Sequence, residues 1–144
     1  MKVSVILSQK GSNEVATIAP TATVSEAVSQ LASRSFGALV VSAGDGMIDG
    51  ILSERDIVRR LGNDGTGVLD QPVGSVMTST VETCTTEETA LEVLGRMTRG
   101  RFRHLPVVDG DGRMTGLLSI GDVVKARLEE IERENAAMAD MLSG

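Results

Sequence analysis

Aromatic residues are almost missing from this chain: Phe36 and Phe102 are the only two in 144 residues, and there is no Trp or Tyr. Any core must therefore be aliphatic, built from Val, Leu, Ile, Ala and Met, with the seven methionines as gap-fillers. Cysteine is limited to Cys84, which excludes an internal disulfide and makes the cytoplasm the expected compartment. Nothing near Cys84 is arranged to activate a thiol, so it reads as an inert small residue near a strand. Histidine is limited to His104, with no Cys or His partner at ligand spacing, so no metal site is expected. Excess positive charge is lacking too: 14 basic against 20 acidic residues give a net charge of −6, which argues against sequence-independent binding to nucleic acid. No apolar run is long enough to span a bilayer, and the N-terminus carries no secretory pattern. No P-loop, nucleophile–base pair or metal constellation is present, so catalysis is not expected.

What the chain does have is a stretch written twice. Gly50-Ile51-Leu52-Ser53-Glu54-Arg55-Asp56-Ile57-Val58 returns as Gly116-Leu117-Leu118-Ser119-Ile120-Gly121-Asp122-Val123-Val124, at an offset of 66 residues. Each copy reads as a strand ending and a helix starting, with the Ser as N-cap and the Asp in the first turn. Taken alone, Ser53 and Asp56 read first as a helix cap and a dipole-matched acid, the commoner use of such residues, and second as a corner that can hold a phosphate and a ribose diol.

Around these copies the elements repeat. In the first half, Val15–Ile18 is an expected strand closed by Pro20, and Thr23 caps a helix over Val24–Ser33 with Glu26 completing a capping box. The apolar face of that helix is Val24, Ala27, Val28 and Leu31. Ala38–Val41 is an expected buried strand, Gly44-Asp45-Gly46 a turn, Met47–Leu52 a strand, and the Ser53 helix runs through Leu61. In the second half Val81–Thr83, Glu87–Met97, Leu105–Val108, Asp109–Gly112 and Met114–Leu118 fill the same roles, with one-residue shifts at the helix end and in the hairpin. The resulting plan is an N-terminal segment 1–14 (an amphipathic turn or two ended by Lys10-Gly11), a first repeat 15–62, a Gly- and Asp-rich mobile linker 63–72, a second repeat 73–125 opening with a short turn over Val73–Met77, and a C-terminal helical extension 126–144.

The repeat resembles the cystathionine-beta-synthase (CBS) domain, and the pair resembles a stand-alone bacterial CBS pair, or Bateman module. The resemblance rests on Thr23 to Ala27, Gly37 to Val41 and Gly50 to Val58, and on Val76-Met77-Thr78, Arg103 to Asp109 and Gly116 to Val124. It implies an α/β (α+β) fold of two strand-helix-strand-strand-helix repeats packed as a pseudo-twofold pair, with adenine nucleotides held in clefts between them. By position, Asp56 and Asp122 would hold ribose diols, and Ser53 and Ser119 would contact phosphate or ribose. Gly37, Ala38, Pro106 and Gly121 belong to the same nucleotide-binding set. The resemblance also implies that Ala16 and Thr17 line the Asp122 site and Thr83 the Asp56 site. Arg103 and His104 stand where relatives place phosphate-contacting residues, and Arg55 is a further candidate. Phe36-Gly37 stands opposite Arg103-His104, so two unequal sites are expected. The cluster Arg96, Arg99, Arg101 and Arg103 is either an anion site or a solvated helix end, and Arg59-Arg60 an exposed helix face.

The expected function is a regulatory sensor of AMP, ADP, ATP or NAD(H), with no catalytic cofactor and a downstream protein partner. A nucleotide-blind dimerisation scaffold and a nucleotide-processing enzyme are the alternatives. Val124, Leu128, Ile131, Asn135, Met138 and Leu142 recur at spacings of four and three, an a/d seam that either pairs with a second copy in a homodimer or lies back on its own lobe.

Overall fold

A computed structural model describes residues 1–10, 15–34 and 37–143; Gly11 and Phe36 lie outside them. The chain divides into two units, Glu14–Glu82 with Gly110–Met114, and Met1–Asn13 with Thr83–Asp109 and Thr115–Gly144. The units do not follow chain order: residues 73–82 fold with the first repeat, and residues 1–10 fold with the second.

In the first unit β1 (Thr17–Ile18) runs parallel to β2 (Ala38–Val41), which pairs antiparallel with β3 (Gly50–Ser53). Every residue of β2 is buried, as its unbroken apolar run requires. β3 is shorter than the expected Met47–Leu52, because Gly46 at φ 82° closes the turn and Met47 is left exposed. Two helices follow α1 (Val3–Gln9) in chain order: α2 (Val24–Arg34) and α3 (Glu54–Asp64). α2 buries Val24, Ala27 and Leu31, while Val28 is exposed, so the apolar face is narrower than the sequence indicates. The Thr23 hydroxyl accepts the Glu26 N–H at 3.1 Å, the first half of the expected capping box.

The linker is not a loose strap. α3 continues to Asp64 and a 3₁₀ segment spans Thr66–Asp70, with Val68 at 1% exposure among the core residues Leu31, Leu52 and Val73. Arg60 ties it down, donating to Asp64 Oδ2, to the Ser75 carbonyl and to Gln71 Oε1. Arg60 is thus a brace rather than part of an exposed face. A Gly-rich composition signals mobility only where no apolar residue anchors the segment, and Val68 does so here.

In the second unit α4 (Ala90–Gly100) starts later than the expected Glu87, because Thr89 is the cap: its hydroxyl accepts the Glu92 N–H at 3.2 Å. β4 (His104–Val108) pairs with β5 (Met114–Ser119), and α5 spans Ile120–Ser143. The expected strand Val81–Thr83 does not form; a single parallel bridge joins Cys84 to Val107 instead. Cys84 is buried, and burial pushes its thiol up to about 12, in keeping with an inert residue.

Among the described residues the expected one-residue shifts are also absent, and the offset of 66 residues holds. Ser42 N–H bonds to Ile18 O and Val108 N–H to Cys84 O; Glu54 N–H bonds to Gly37 O and Ile120 N–H to Arg103 O. Helices Val24–Arg34 and Ala90–Gly100 are likewise in step. Gly37 therefore corresponds to Arg103 and Ala38 to His104, one place from the sequence alignment. A second internal match accounts for how the units are cut. Val24 N–H bonds to Gln71 O and Val73 N–H to Ala22 O, while Ala90 N–H bonds to Met1 O and Val3 N–H to Glu88 O. The segment from Met1 thus does for one unit what the segment from Gln71, 70 residues on, does for the other. Val3 and Val73 are both fully buried in their respective cores.

Candidate functional site

Each unit carries one corner where a strand hands over to a helix. At the first, Ser53 caps α3 with a full capping box. Asp56 N–H donates to Ser53 Oγ at 3.2 Å, and Asp56 Oδ2 accepts the Ser53 N–H at 2.9 Å and the Ser53 hydroxyl at 3.0 Å. Thr78 joins from the segment after the linker: its backbone bridges to Ile51, and its hydroxyl lies 3.5 Å from Asp56 Oδ1. Gly50 is required here, since a Cβ on it would collide with the Met77 side chain and lie 2.8 Å from the Thr78 carbonyl oxygen.

At the second corner Asp122 N–H donates to Ser119 Oγ at 3.1 Å, and Asp122 Oδ2 accepts the Ser119 N–H at 2.9 Å. A Cβ on Gly116 would come within 2.8 Å of the tip of the Leu7 side chain, which would have to shift to accommodate it. Here Lys10, at the end of α1, reaches in: its ammonium donates to Asp122 Oδ2 at 2.9 Å and to the Leu117 carbonyl at 2.7 Å. Burial works to raise the Asp122 pKa, but the Ser119 N–H and the hydrogen bond and charge of Lys10 outweigh it, so the carboxyl titrates below its usual range.

The remaining candidates divide between the units. In the first, Gly37 supplies the carbonyl that receives the first N–H of α3, Ala38 is buried at the start of β2, and Ala16 accepts from Val40. Thr17 is exposed on β1, and Arg55 is exposed in the first turn of α3. In the second, the Arg103 carbonyl receives the first N–H of α5, His104 opens β4, and Gly121 lies exposed in the first turn of α5. Pro106 is buried with its carbonyl bonded to Cys84, and the Thr83 carbonyl is held by Arg96 at 2.8 Å. Arg96 also pairs with Glu88 at 2.8 Å, which makes it a brace. Arg101 is the left-handed cap of α4, so helix termination sets its place. Among the described residues no three His, Cys, Asp or Glu side chains gather to hold a metal, and no helix is long and apolar enough to cross a membrane.

Lys10 and Thr78 escape the sequence reading. A signal for the segments that carry them lies in the match of Val3, Ile6, Leu7 and Ser8 to Val73, Val76, Met77 and Thr78, the second internal repeat, although Lys10 itself falls two places past it.

Comparison with known proteins agrees with this architecture. A CBS-domain protein from Agrobacterium tumefaciens has a solved structure that superposes with TM-score 0.84 and is 40% identical, covering 88% of this chain and 99% of that one. A CBS domain protein from Pyrobaculum aerophilum superposes with TM-score 0.74 at 28% identity, over 85% of this chain and 89% of that one. An uncharacterized 17.7 kDa protein from Acidianus ambivalens is 32% identical over 85% of this chain and 73% of its own length. Other relatives are longer: the chain spans only 24% of a CBS domain-containing protein from Arabidopsis thaliana to which it is 35% identical. The CBS domain model matches residues 11–63 and 73–129, and the chain belongs to the CBS domain family as a pair of such domains.

Proposed function

We propose that the protein is a cytoplasmic regulatory module that binds an adenine nucleotide (AMP, ADP, ATP or NAD(H)), with Asp56 and Asp122 as the ribose-gripping carboxylates. The observation that carries this reading is the twice-built corner, in which a carboxylate is fixed by its own Ser N–H beside a helix N-terminus. Such a carboxylate is held ready to accept from a diol, and the neighbouring helix N–H groups suit a phosphate. The relative from Pyrobaculum aerophilum was solved complexed with AMP, which supports the adenosine part of the reading. Ser53, Ser119, Arg55, Arg103 and His104 are the proposed phosphate and ribose contacts. Ala16, Thr17, Gly37, Ala38, Thr83, Pro106 and Gly121 complete the proposed set.

The module acts by binding and not by turnover. Ligand occupancy reports to a downstream protein, and it shifts conformation only as far as the ligand prefers one of two states. Titration calorimetry with adenosine, AMP, ADP, ATP and NAD should give saturable binding for at least one of them, with the ligand recovered unchanged by chromatography. Absence of heat for all five would overturn the reading, and consumption of the ligand would make the protein an enzyme.

A homodimer belongs to the same proposal. Val124, Leu128, Ile131, Met138 and Leu142 of α5 are all exposed, at 39, 55, 38, 60 and 87%. Within its own unit α5 buries Val123 and Ala126 instead. A stripe that is turned away from its own core, with Asn135 at its centre, suits pairing with a second copy.

A further inference from the structure

The two corners are built on one pattern but differ in what covers the carboxylate. In the first unit the Ile51 carbonyl accepts the Thr78 N–H at 2.9 Å, and the Thr78 hydroxyl approaches Asp56. In the second unit Leu117 is the counterpart of Ile51, and its carbonyl accepts the Lys10 ammonium. One cation thus takes over two of the contacts that Thr78 makes, those to the strand carbonyl and to the aspartate. The pair is only partly open to solvent, with side-chain exposures of 29% for Lys10 and 24% for Asp122. In the same unit Arg103 is tied by its backbone to the start of α5 and His104 follows it, whereas Gly37 and Ala38 hold those places in the other unit.

We infer that Lys10 is a specificity-determining residue of the Asp122 corner, holding it closed to uncharged nucleosides and admitting those that carry a phosphate. This rests on the reading of Asp122 as a ribose site. A ribose diol grips a carboxylate with one hydroxyl on each oxygen, and the Lys10 ammonium together with the Ser119 N–H already fills Oδ2, so a two-oxygen grip displaces the ammonium. A neutral nucleoside that displaces Lys10 leaves a partly buried ammonium without its counter-ion, which is unfavourable. A phosphorylated nucleoside offers the displaced ammonium a new anion, and the flexible four-carbon stem of lysine lets it follow. The Asp56 corner, where a hydroxyl takes the place of the ammonium, has no such latch and admits nucleosides with or without a phosphate. The outcome is a module whose second corner requires a phosphorylated ligand while the first does not.

The test uses the full chain with Asp56→Asn to silence the first corner, with and without Lys10→Met, titrated with adenosine and AMP. Removing the ammonium should lower the ratio of AMP to adenosine affinity at least tenfold, with adenosine binding gained. An unchanged ratio overturns the inference. The Asp122 carboxyl, followed by carbon-13 NMR without ligand, supplies a second readout. Its pKa should rise when Lys10 is replaced, and no rise would mean that the latch does not exist. If neither ligand binds any variant, both this inference and the ribose reading fail. A raised Asp122 pKa in that case would locate the fault in the ribose reading and not in the Lys10 contact.

Discussion

Substituting Asp56 by Asn separates the two jobs assigned to that carboxylate. As a cap it accepts the Ser53 N–H at 2.9 Å and the Ser53 hydroxyl at 3.0 Å. The amide oxygen of Asn can still accept, so the structural loss should stay within the range for a weakened cap, about 1 kcal/mol or less. As a ribose ligand it would accept from two hydroxyls with a full negative charge, and hydrogen bonds to charged groups contribute about 1.5–3 kcal/mol. Losing that assistance should weaken adenosine binding at this corner roughly ten- to hundredfold. Titration calorimetry with adenosine and 2′,3′-dideoxyadenosine distinguishes the two roles, because the second ligand lacks the hydroxyls. The expected result is a large loss for adenosine and little for the dideoxy compound. Ser53→Ala serves as the control: it removes the cap hydroxyl, at a cost of about 1 kcal/mol, and leaves the Asp56 charge in place. Equal losses for both ligands in Asp56→Asn would show that Asp56 is only a helix-terminal acid.

Three further outcomes follow from the packing. Val68→Ala should destabilise the chain by about 1.5 kcal/mol in chemical denaturation, from the two carbons lost, whereas Val58→Ala, at a side chain 66% exposed, should change it little; equal effects would mean that the linker is not part of the core. Cys84 should resist a thiol reagent such as dithionitrobenzoate at pH 8 in the folded protein and react at once in denaturant, since its thiol is buried and pushed up to about 12; ready reaction in the folded state would contradict its burial. A Cys84→Ser, Asn135→Cys variant should form a disulfide-linked dimer under mild oxidation, and a monomer on a non-reducing gel from a protein that light scattering shows to be dimeric would exclude a parallel seam.

The sequence carried the repeat because the corners are dictated by local chemistry. A cap needs Ser or Thr followed three places on by an acceptor, and a strand that meets the next segment closely needs a glycine at its head. Both constraints fall on a few contiguous residues, so Gly50 to Asp56 and Gly116 to Asp122 stand out at once. The capping signal at Thr89 and Glu92 is equally local and repeats Thr23 and Glu26 at the offset of 66, so a helix start later than the expected Glu87 was legible. The missing strand at Val81–Thr83 is a different kind of failure. Strand formation depends on a partner distant in sequence, and there only Cys84 finds one in Val107.

The pieces that stayed hidden were those whose meaning comes from the other end of the chain. Read alone, Met1 to Lys10 is a short amphipathic helix, and Gln71 to Thr78 is the exit from a linker. Their equivalence rests on small apolar residues that many sequences share, and only the hydrogen bonds of Val3 and Val73 to Glu88 and Ala22 make it plain. Once it is plain, the asymmetry of the corners gains a second source. The sequence located that asymmetry in Arg103 and His104 against a neutral pair. The fold adds Lys10, brought 112 residues along the chain to Asp122 by the packing of Ile6 and Leu7 into the core that also holds Leu118 and Val123. A lysine at the end of a seven-residue helix has no local signature for this role. Its position follows from the burial of the apolar face before it, so a substitution such as Leu7→Ala that loosens α1 would disturb the Asp122 corner without touching any residue in it.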